Sequence, residues 1–212
     1  MSTCVSSPSS LDVGGILLMI GGDVELLPDF YRLSVRTAVL EGKVTICEEI
    51  KTGRILSVSC SYGPGQFFLG SQKQRDLGFN EFFNQLSIEG KQWWDEVSTL
   101  WIIGCTDFLT SEVKYFEKVQ NMPSISCFKV VDSWFVTILA TATSEQGKGY
   151  GSSVMREVQR IAAEDRTSVT LNTTSEKNVS FYSSLGFKVI QTSTRTTPYG
   201  TWTSYIMTWS KE

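Results

Sequence analysis

Histidine is absent from all 212 residues, and that absence removes whole classes of chemistry. Without imidazole there is no Ser-His-Asp or Cys-His nucleophile pair, no His-ligated zinc and no histidine general base. Charge is scarce as well. Lys, Arg, Asp and Glu make up 19% of the chain, below the usual ~25%. The 19 basic and 22 acidic side chains leave a net charge of −3, a balance that argues against nucleic-acid binding through bulk charge. Cysteines are few. Cys4, Cys47, Cys60, Cys105 and Cys127 are odd in number, widely spaced and without a C-x-x-C pair. They make neither a disulfide framework nor a zinc site, and they fit a reducing cytoplasm. Long apolar runs are missing too. Ile16 to Ile20 falls far short of the ~20 residues a bilayer-spanning helix needs, and the Ser-rich first ten residues lack the basic region of a signal peptide. The expectation is a soluble chain with no membrane or metal partner.

Apolar residues at 41%, joined by 17 glycines, suffice for a core, and the length suits one domain of α/β size. Aromatic content of 12% suggests a large apolar interior or an aromatic-lined pocket. Residues 1–13 read as a flexible Ser-rich tail, and residues 14–212 as a single domain. Gly14 to Ile20 reads as a short strand bounded by Gly21-Gly22. From Pro28, the spacing of Phe30, Leu33, Ala38 and Leu40 predicts an amphipathic helix closed by Gly42. Val44 to Ile50 and Arg54 to Tyr62 form a hairpin around Lys51-Thr52-Gly53.

Residues 63–131 differ in texture. Phe79, Phe82, Phe83, Trp93, Trp94, Val97, Leu100 and Trp101 recur at helical spacings and predict a helical insertion of two or three helices. A paired tryptophan on a helix is most simply core; the functional reading makes this segment one wall of a substrate pocket. Trp134 to Thr143 is an extended β-rich run. The next helix carries Val154, Met155, Val158, Ile161 and Ala162 on one face, and Arg156, Glu157, Gln159, Arg160 and Glu164 on the other. Thr167 to Asn172 follows as a strand. Ser175 caps a short helix ended by Gly186, on which Asn178 and Tyr182 lie four apart and so share a face. Phe187 to Ser193 and Tyr205 to Trp209 are the final strands.

Between a strand and a helix lies Gln146-Gly147-Lys148-Gly149-Tyr150-Gly151. Glycines there let successive backbone N–H groups converge on an anion, and the helix N-terminus adds positive potential. The run is neither G-x-x-x-x-G-K-[ST] nor G-x-G-x-x-G in an opening βαβ unit. Read as Q-x-x-G-x-G through Gln146, Gly149 and Gly151, and followed some thirty residues on by Asn178-Val179-Ser180-Phe181-Tyr182-Ser183-Ser184-Leu185-Gly186-Phe187, it resembles the GNAT superfamily of acyl-CoA-dependent N-acetyltransferases over about residues 134–193. Tyr31 to Ala38 and Gln74 to Phe79 also resemble fungal GNAT-domain proteins.

The resemblance implies an α/β (α+β) fold with a mixed, mostly antiparallel, splayed sheet flanked by helices. It further implies N-acetyl transfer from acetyl-CoA to an amine in a ternary complex, with no metal. Another acyl-CoA, a peptide or protein amine, or a non-catalytic CoA-binding module would share the same loop. Backbone groups of Leu139, Ala140 and Thr141 would pair with pantetheine. Gln146 belongs to the loop motif, and the pyrophosphate would sit on the amides of Gly147, Lys148, Gly149, Tyr150, Gly151 and Ser152. Lys148 either adds a point charge or is a solvated loop lysine. Asn178 would meet the pantetheine or hold the next loop. Tyr182 would reach the sulfur and protonate the leaving thiolate, the alternative being a core tyrosine. Trp134 to Thr143 contains no acid, so that strand supplies no base for the amine. Glu25, Glu81, Asp107, Asp132 and a water chain remain as candidates. The cysteines read as structural thiols. The partners implied are acetyl-CoA and a small-molecule amine, with the protein a monomer or homodimer.

Overall fold

The computed structural model describes residues 14–95 and 131–211. Helix α1 (Gly14–Met19), a 3₁₀ turn (Val24–Leu26) and α2 (Leu27–Glu41) lead into strands β1 (Lys43–Glu49) and β2 (Arg54–Tyr62). Short helices α3 (Gln72–Arg75) and α4 (Phe79–Gln85) and a helical run at 88–95 follow. After them come β3 (Trp134–Thr141), a 3₁₀ turn (Thr143–Glu145), α5 (Tyr150–Glu164), β4 (Val169–Thr173), α6 (Glu176–Ser184), β5 (Lys188–Thr197) and β6 (Gly200–Trp209). The six strands form one sheet in the order β1-β2-β3-β4-β6-β5. Every neighbouring pair is antiparallel except β3 and β4, which is the mixed, mostly antiparallel sheet expected.

Strand alternation divides the side chains between two layers. On one face, α5 and α6 close the main core. Met155, Val158 and Ala162 of α5 and Tyr182 of α6 join Val136, Val169, Leu171 and Met207 of the sheet. On the other face lies α2, whose Ala38 packs with Cys60 and Tyr62 of β2. Two polar residues fit into the buried stripe of α2 because each satisfies itself one turn back. Ser34 donates to the carbonyl of Phe30 at 2.8 Å and Thr37 to that of Leu33 at 2.9 Å. Tyr62 then donates its hydroxyl to Thr37 Oγ1 at 2.8 Å. A second apolar cluster joins Ile20, Phe30, Leu33, Phe82 and Trp94.

The structure corrects three readings. Gly14 to Ile20 is a helix and turn, with Ile20 N–H bonded to the Ile16 carbonyl at 3.0 Å. A five-residue apolar run has no period that separates strand from helix, and here it packs across the sheet: a Cβ on Gly15 would stand 2.7 Å from Thr174 and 3.1 Å from Trp202. The last two strands are longer than expected, because only Pro198-Tyr199 separates them and a polar, Thr-rich register runs on to Thr197↔Gly200. Gln159 faces inward rather than outward, donating its amide to the Leu185 carbonyl at 2.9 Å. Other expectations hold: Pro28 lies in the first turn of α2 and Gly42 caps its end. Ser175 caps α6 by accepting from Asn178 N–H. The Ser-rich tail, Val97, Leu100, Trp101, Asp107, Cys4, Cys105 and Cys127 lie outside the described residues.

Candidate functional site

The Gly-rich loop joins the end of β3 to the start of α5. Gly147 (φ +77°) and Gly149 (φ +87°) occupy left-handed conformations, and a Cβ at either would meet no atom within 4 Å. Backbone shape, not crowding, therefore asks for glycine at these two positions. Gly151 is different. It is buried, and a Cβ there would come to 3.1 Å from Thr141 Oγ1 and 3.8 Å from the Phe181 ring. Its lack of a side chain brings the first turn of α5 against β3. Thr141 is braced from β2 by Ser57, whose hydroxyl lies 3.0 Å from Thr141 Oγ1 and 3.0 Å from the Ala140 carbonyl. Gln146 reaches back from the loop to the Thr141 carbonyl at 3.3 Å. The amides of Tyr150, Gly151 and Ser152 open the helix without intrahelical acceptors, so they present donors and the positive end of a helix dipole to an anion.

Beside this loop the sheet opens. Strands β3 and β4 are bridged only at Trp134↔Val169, Phe135↔Thr170 and Val136↔Leu171. Farther along, Leu139, Ala140 and Thr141 pair with Ser59, Val58 and Ser57 of β2, whereas Asn172 and Thr173 pair with β6. Among the described residues, no strand bridge joins β3 to β4 past Val136 and Leu171. A notch with backbone donors and acceptors on its β3 edge results. It has the form that takes an extended chain by strand-like pairing.

The charges around the loop form a network. Glu145, in the turn before the loop, accepts from Arg54 Nη2 at 2.8 Å through one carboxylate oxygen and from Lys148 Nζ at 3.0 Å through the other. Hydrogen bonds from Lys148 and then Arg54 hold its carboxyl below the ordinary range. Lys148 is thus paired with Glu145 while its side chain stays half exposed to solvent. Arg54, Glu145 and the brace Ser57 escaped the sequence reading. Arg54 and Ser57 lie some 90 residues before the loop, and only the β2–β3 register joins them to it.

Tyr182 is buried at 8% exposure. Its ring packs edge-on against Phe181 (5.1 Å between centroids) and Phe187 (5.8 Å). The cluster containing it also holds Val136 and Leu171, the last bridged pair at the root of the notch. Asn178 is half-buried one turn earlier on α6. Of the candidate bases, Glu25, Glu81 and Asp132 are exposed. Glu81 lines a 390 Å³ groove with Asp29, Arg32, Arg36, Asp76 and Phe82, between α2 and α4; none of the loop residues takes part in it. Trp94 is buried against Phe79 and Phe82, the core role for that aromatic. Burial pushes the Cys60 thiol up to about 11, making it a poor nucleophile. Among the described residues no group of three or more Cys, Asp or Glu side chains is arranged to hold a metal ion, and no helix is long and apolar enough to cross a membrane.

A family model described as an acetyltransferase (GNAT) domain matches residues 102–189. No curated protein matches the sequence at a significant level. Among solved structures, the mosquito arylalkylamine N-acetyltransferase like 5b is similar over 86% of this chain and 81% of its own, with 14% identity and a TM-score of 0.51. The ribosomal-protein-S18-alanine N-acetyltransferase from Escherichia coli aligns over 36% of this chain and 53% of its own, at 17% identity and a TM-score of 0.33. Arabidopsis thaliana NAA60 in complex with acetyl-CoA aligns over 36% and 47%, at 13% identity and a TM-score of 0.33. The chain thus spans about half the length of these last two. At such identities the likeness concerns the fold. The two sequence motifs and the sheet that opens beside the Gly-rich loop agree with that match: over residues 102–189 the chain is similar to an acetyltransferase (GNAT) domain.

Proposed function

We propose that this protein transfers the acetyl group of acetyl-CoA to the primary amine of a small molecule, by direct attack within a ternary complex. The observation that carries the reading is the notch between β3 and β4, which opens where the Gly-rich loop begins. The residues fit such a cosubstrate. Amides of Gly147 to Ser152 hold the pyrophosphate, and Gly147 and Gly149 leave open space there. Leu139, Ala140 and Thr141 offer alternating N–H and C=O groups to the amide-bearing pantetheine arm, as they would to another strand. A backbone N–H near Leu139 polarises the thioester carbonyl.

In the reaction the amine nitrogen bonds to the carbonyl carbon and the C–S bond breaks. Tyr182 supplies the proton taken up by the departing thiolate, while water takes the proton released by the amine, because β3 carries no carboxylate. Asn178, one turn before Tyr182, contacts the pantetheine arm or holds the adjoining loop. A cytoplasmic setting, with the protein a monomer or homodimer, completes the proposal.

The test incubates purified protein and acetyl-CoA with a panel of small amines and peptides, following thiol release and product mass. Acetylation of a small amine is expected. Acetylation of peptides alone would replace the small-molecule acceptor with a chain terminus, and binding of CoA without turnover of any amine would refute the catalytic reading.

A further inference from the structure

We propose that Arg54 and Lys148 form a clamp for a phosphate monoester, and that the group it takes is the 3′-phosphate of CoA. The inference rests on the CoA reading above. It assigns a role to Arg54, which stands at the start of β2, outside both sequence motifs.

The clamp is built on a nearly buried carboxylate. The Glu145 side chain is 10% exposed, while those of Arg54 and Lys148 are 53% and 54% exposed. Each carboxylate oxygen is committed: Oε1 accepts from Arg54 at 2.8 Å and from Ser144 Oγ at 3.2 Å, and Oε2 accepts from Lys148 at 3.0 Å. One such anion is neutralised by one cation, and a second cation leaves the triad with net positive charge. Both cations come from different elements, yet they are held within one carboxylate's span of each other. The remaining guanidinium and ammonium hydrogens have no protein acceptor among the described residues. Held on one carboxylate, the arginine and the lysine keep further donors for one tetrahedral anion.

CoA carries two anionic groups, and the loop amides already suit the pyrophosphate. The other is a monoester with a second pKa near 6, by analogy with phosphorylated side chains, and is therefore mostly dianionic at neutral pH. It matches a site holding more positive charge than a single solvated lysine provides.

Dephospho-CoA, which lacks only this phosphate, separates the clamp from the loop. Titration calorimetry on the full chain, with CoA and dephospho-CoA as ligands, compares wild type with Arg54→Met and Lys148→Met. Wild type is expected to bind CoA about tenfold or more tightly than dephospho-CoA, the scale of one charge-assisted hydrogen bond. Each substitution should lower that ratio, and the double variant should bring it close to one through loss of CoA affinity. Because only folded protein binds dephospho-CoA, the ratio is insensitive to a loss of fold. Equal binding of both ligands by wild type, or a ratio unchanged in the variants, would overturn the clamp and leave the CoA reading intact. Binding of neither ligand would overturn both.

Discussion

Gly149 is the most informative single position in the loop, because its conformation and its surroundings make separate demands. Its φ of +87° and ψ of −2° are left-handed, while the space where a Cβ would stand is empty to 4 Å. Gly149→Ala therefore introduces backbone strain with no clash, at a cost of about 1–2 kcal/mol for an L-residue held in that region. For a domain of this size about 2–4 °C of Tm accompanies each kcal/mol, so the variant should melt about 2–8 °C below wild type. Gly149→Asn meets the same empty space, yet asparagine tolerates the left-handed region better than alanine, and it should recover part of the loss.

If the alanine variant instead relaxes into a right-handed conformation, the strain disappears but the amides that follow turn away. Stability is then retained and CoA affinity falls by about tenfold or more for each charge-assisted hydrogen bond lost. Tryptophan-fluorescence melts and CoA titration read the two outcomes in parallel. An alanine variant indistinguishable from wild type in both Tm and CoA affinity would refute the argument that this loop requires a left-handed residue at 149.

Tyr182→Phe keeps the packed ring and removes the proposed proton donor. CoA should still bind, while acetyl transfer at saturating substrates falls by about a hundredfold, the lower range for a general acid; unchanged turnover would remove Tyr182 from the mechanism. In the buried Tyr62–Thr37 pair, Tyr62→Phe deletes the donor and leaves Thr37 bonded to the helix carbonyls, costing about 0.5–1.5 kcal/mol. Thr37→Val strands the Tyr62 hydroxyl and should cost more, about 1–3 kcal/mol; urea titration giving the reverse order would contradict this reading. For Glu145, the folded-state carboxyl lies below its ordinary value of 4.5, so the stability it contributes is present above that value and lost as pH falls through the folded value. The stability gap between wild type and Glu145→Gln should therefore shrink on acidification, and a gap that widened below pH 4.5 would show that the carboxylate is not held in its ionised form.

The loop itself was legible because its signals are local. Gly147 and Gly149 as loop glycines between a strand and a helix, Ser175 as the donor-satisfying cap and Gly42 closing α2 each act through a few neighbouring residues, so composition and position suffice. The hairpin of β1 and β2 followed from Gly53 and two β-rich runs in the same way. What remained hidden depends on pairing between distant segments. The notch, expected only through the family resemblance, exists because β3 stops bridging β4 after Val136 while both strands continue, and nothing in either stretch itself marks where that parting occurs. Arg54 beside Lys148 and Ser57 beneath Thr141 follow from the β2–β3 register. Gln159 reads as a surface residue by type, and only the nearby Leu185 carbonyl at the end of α6 explains its burial. The Gly14 to Ile20 segment failed for a different reason: Gly15 lies against Trp202 and Leu18 against Gly200, contacts set by the final hairpin rather than by local propensity.

A sheet whose halves meet through three bridged residue pairs has an internal seam. In an antiparallel pairing every second amide points away from the partner strand, so alternate amides between Thr137 and Thr141 lack the ladder bonds that protect the rest of β3. Their hydrogens should exchange with solvent far faster than those of β2 or β6, although they lie in the middle strands of the molecule. A chain seated along the seam would stitch the two half-sheets into one cooperative unit and slow exchange on both banks at once. Occupancy of the notch would then be written in the protein's own exchange pattern, independently of any turnover.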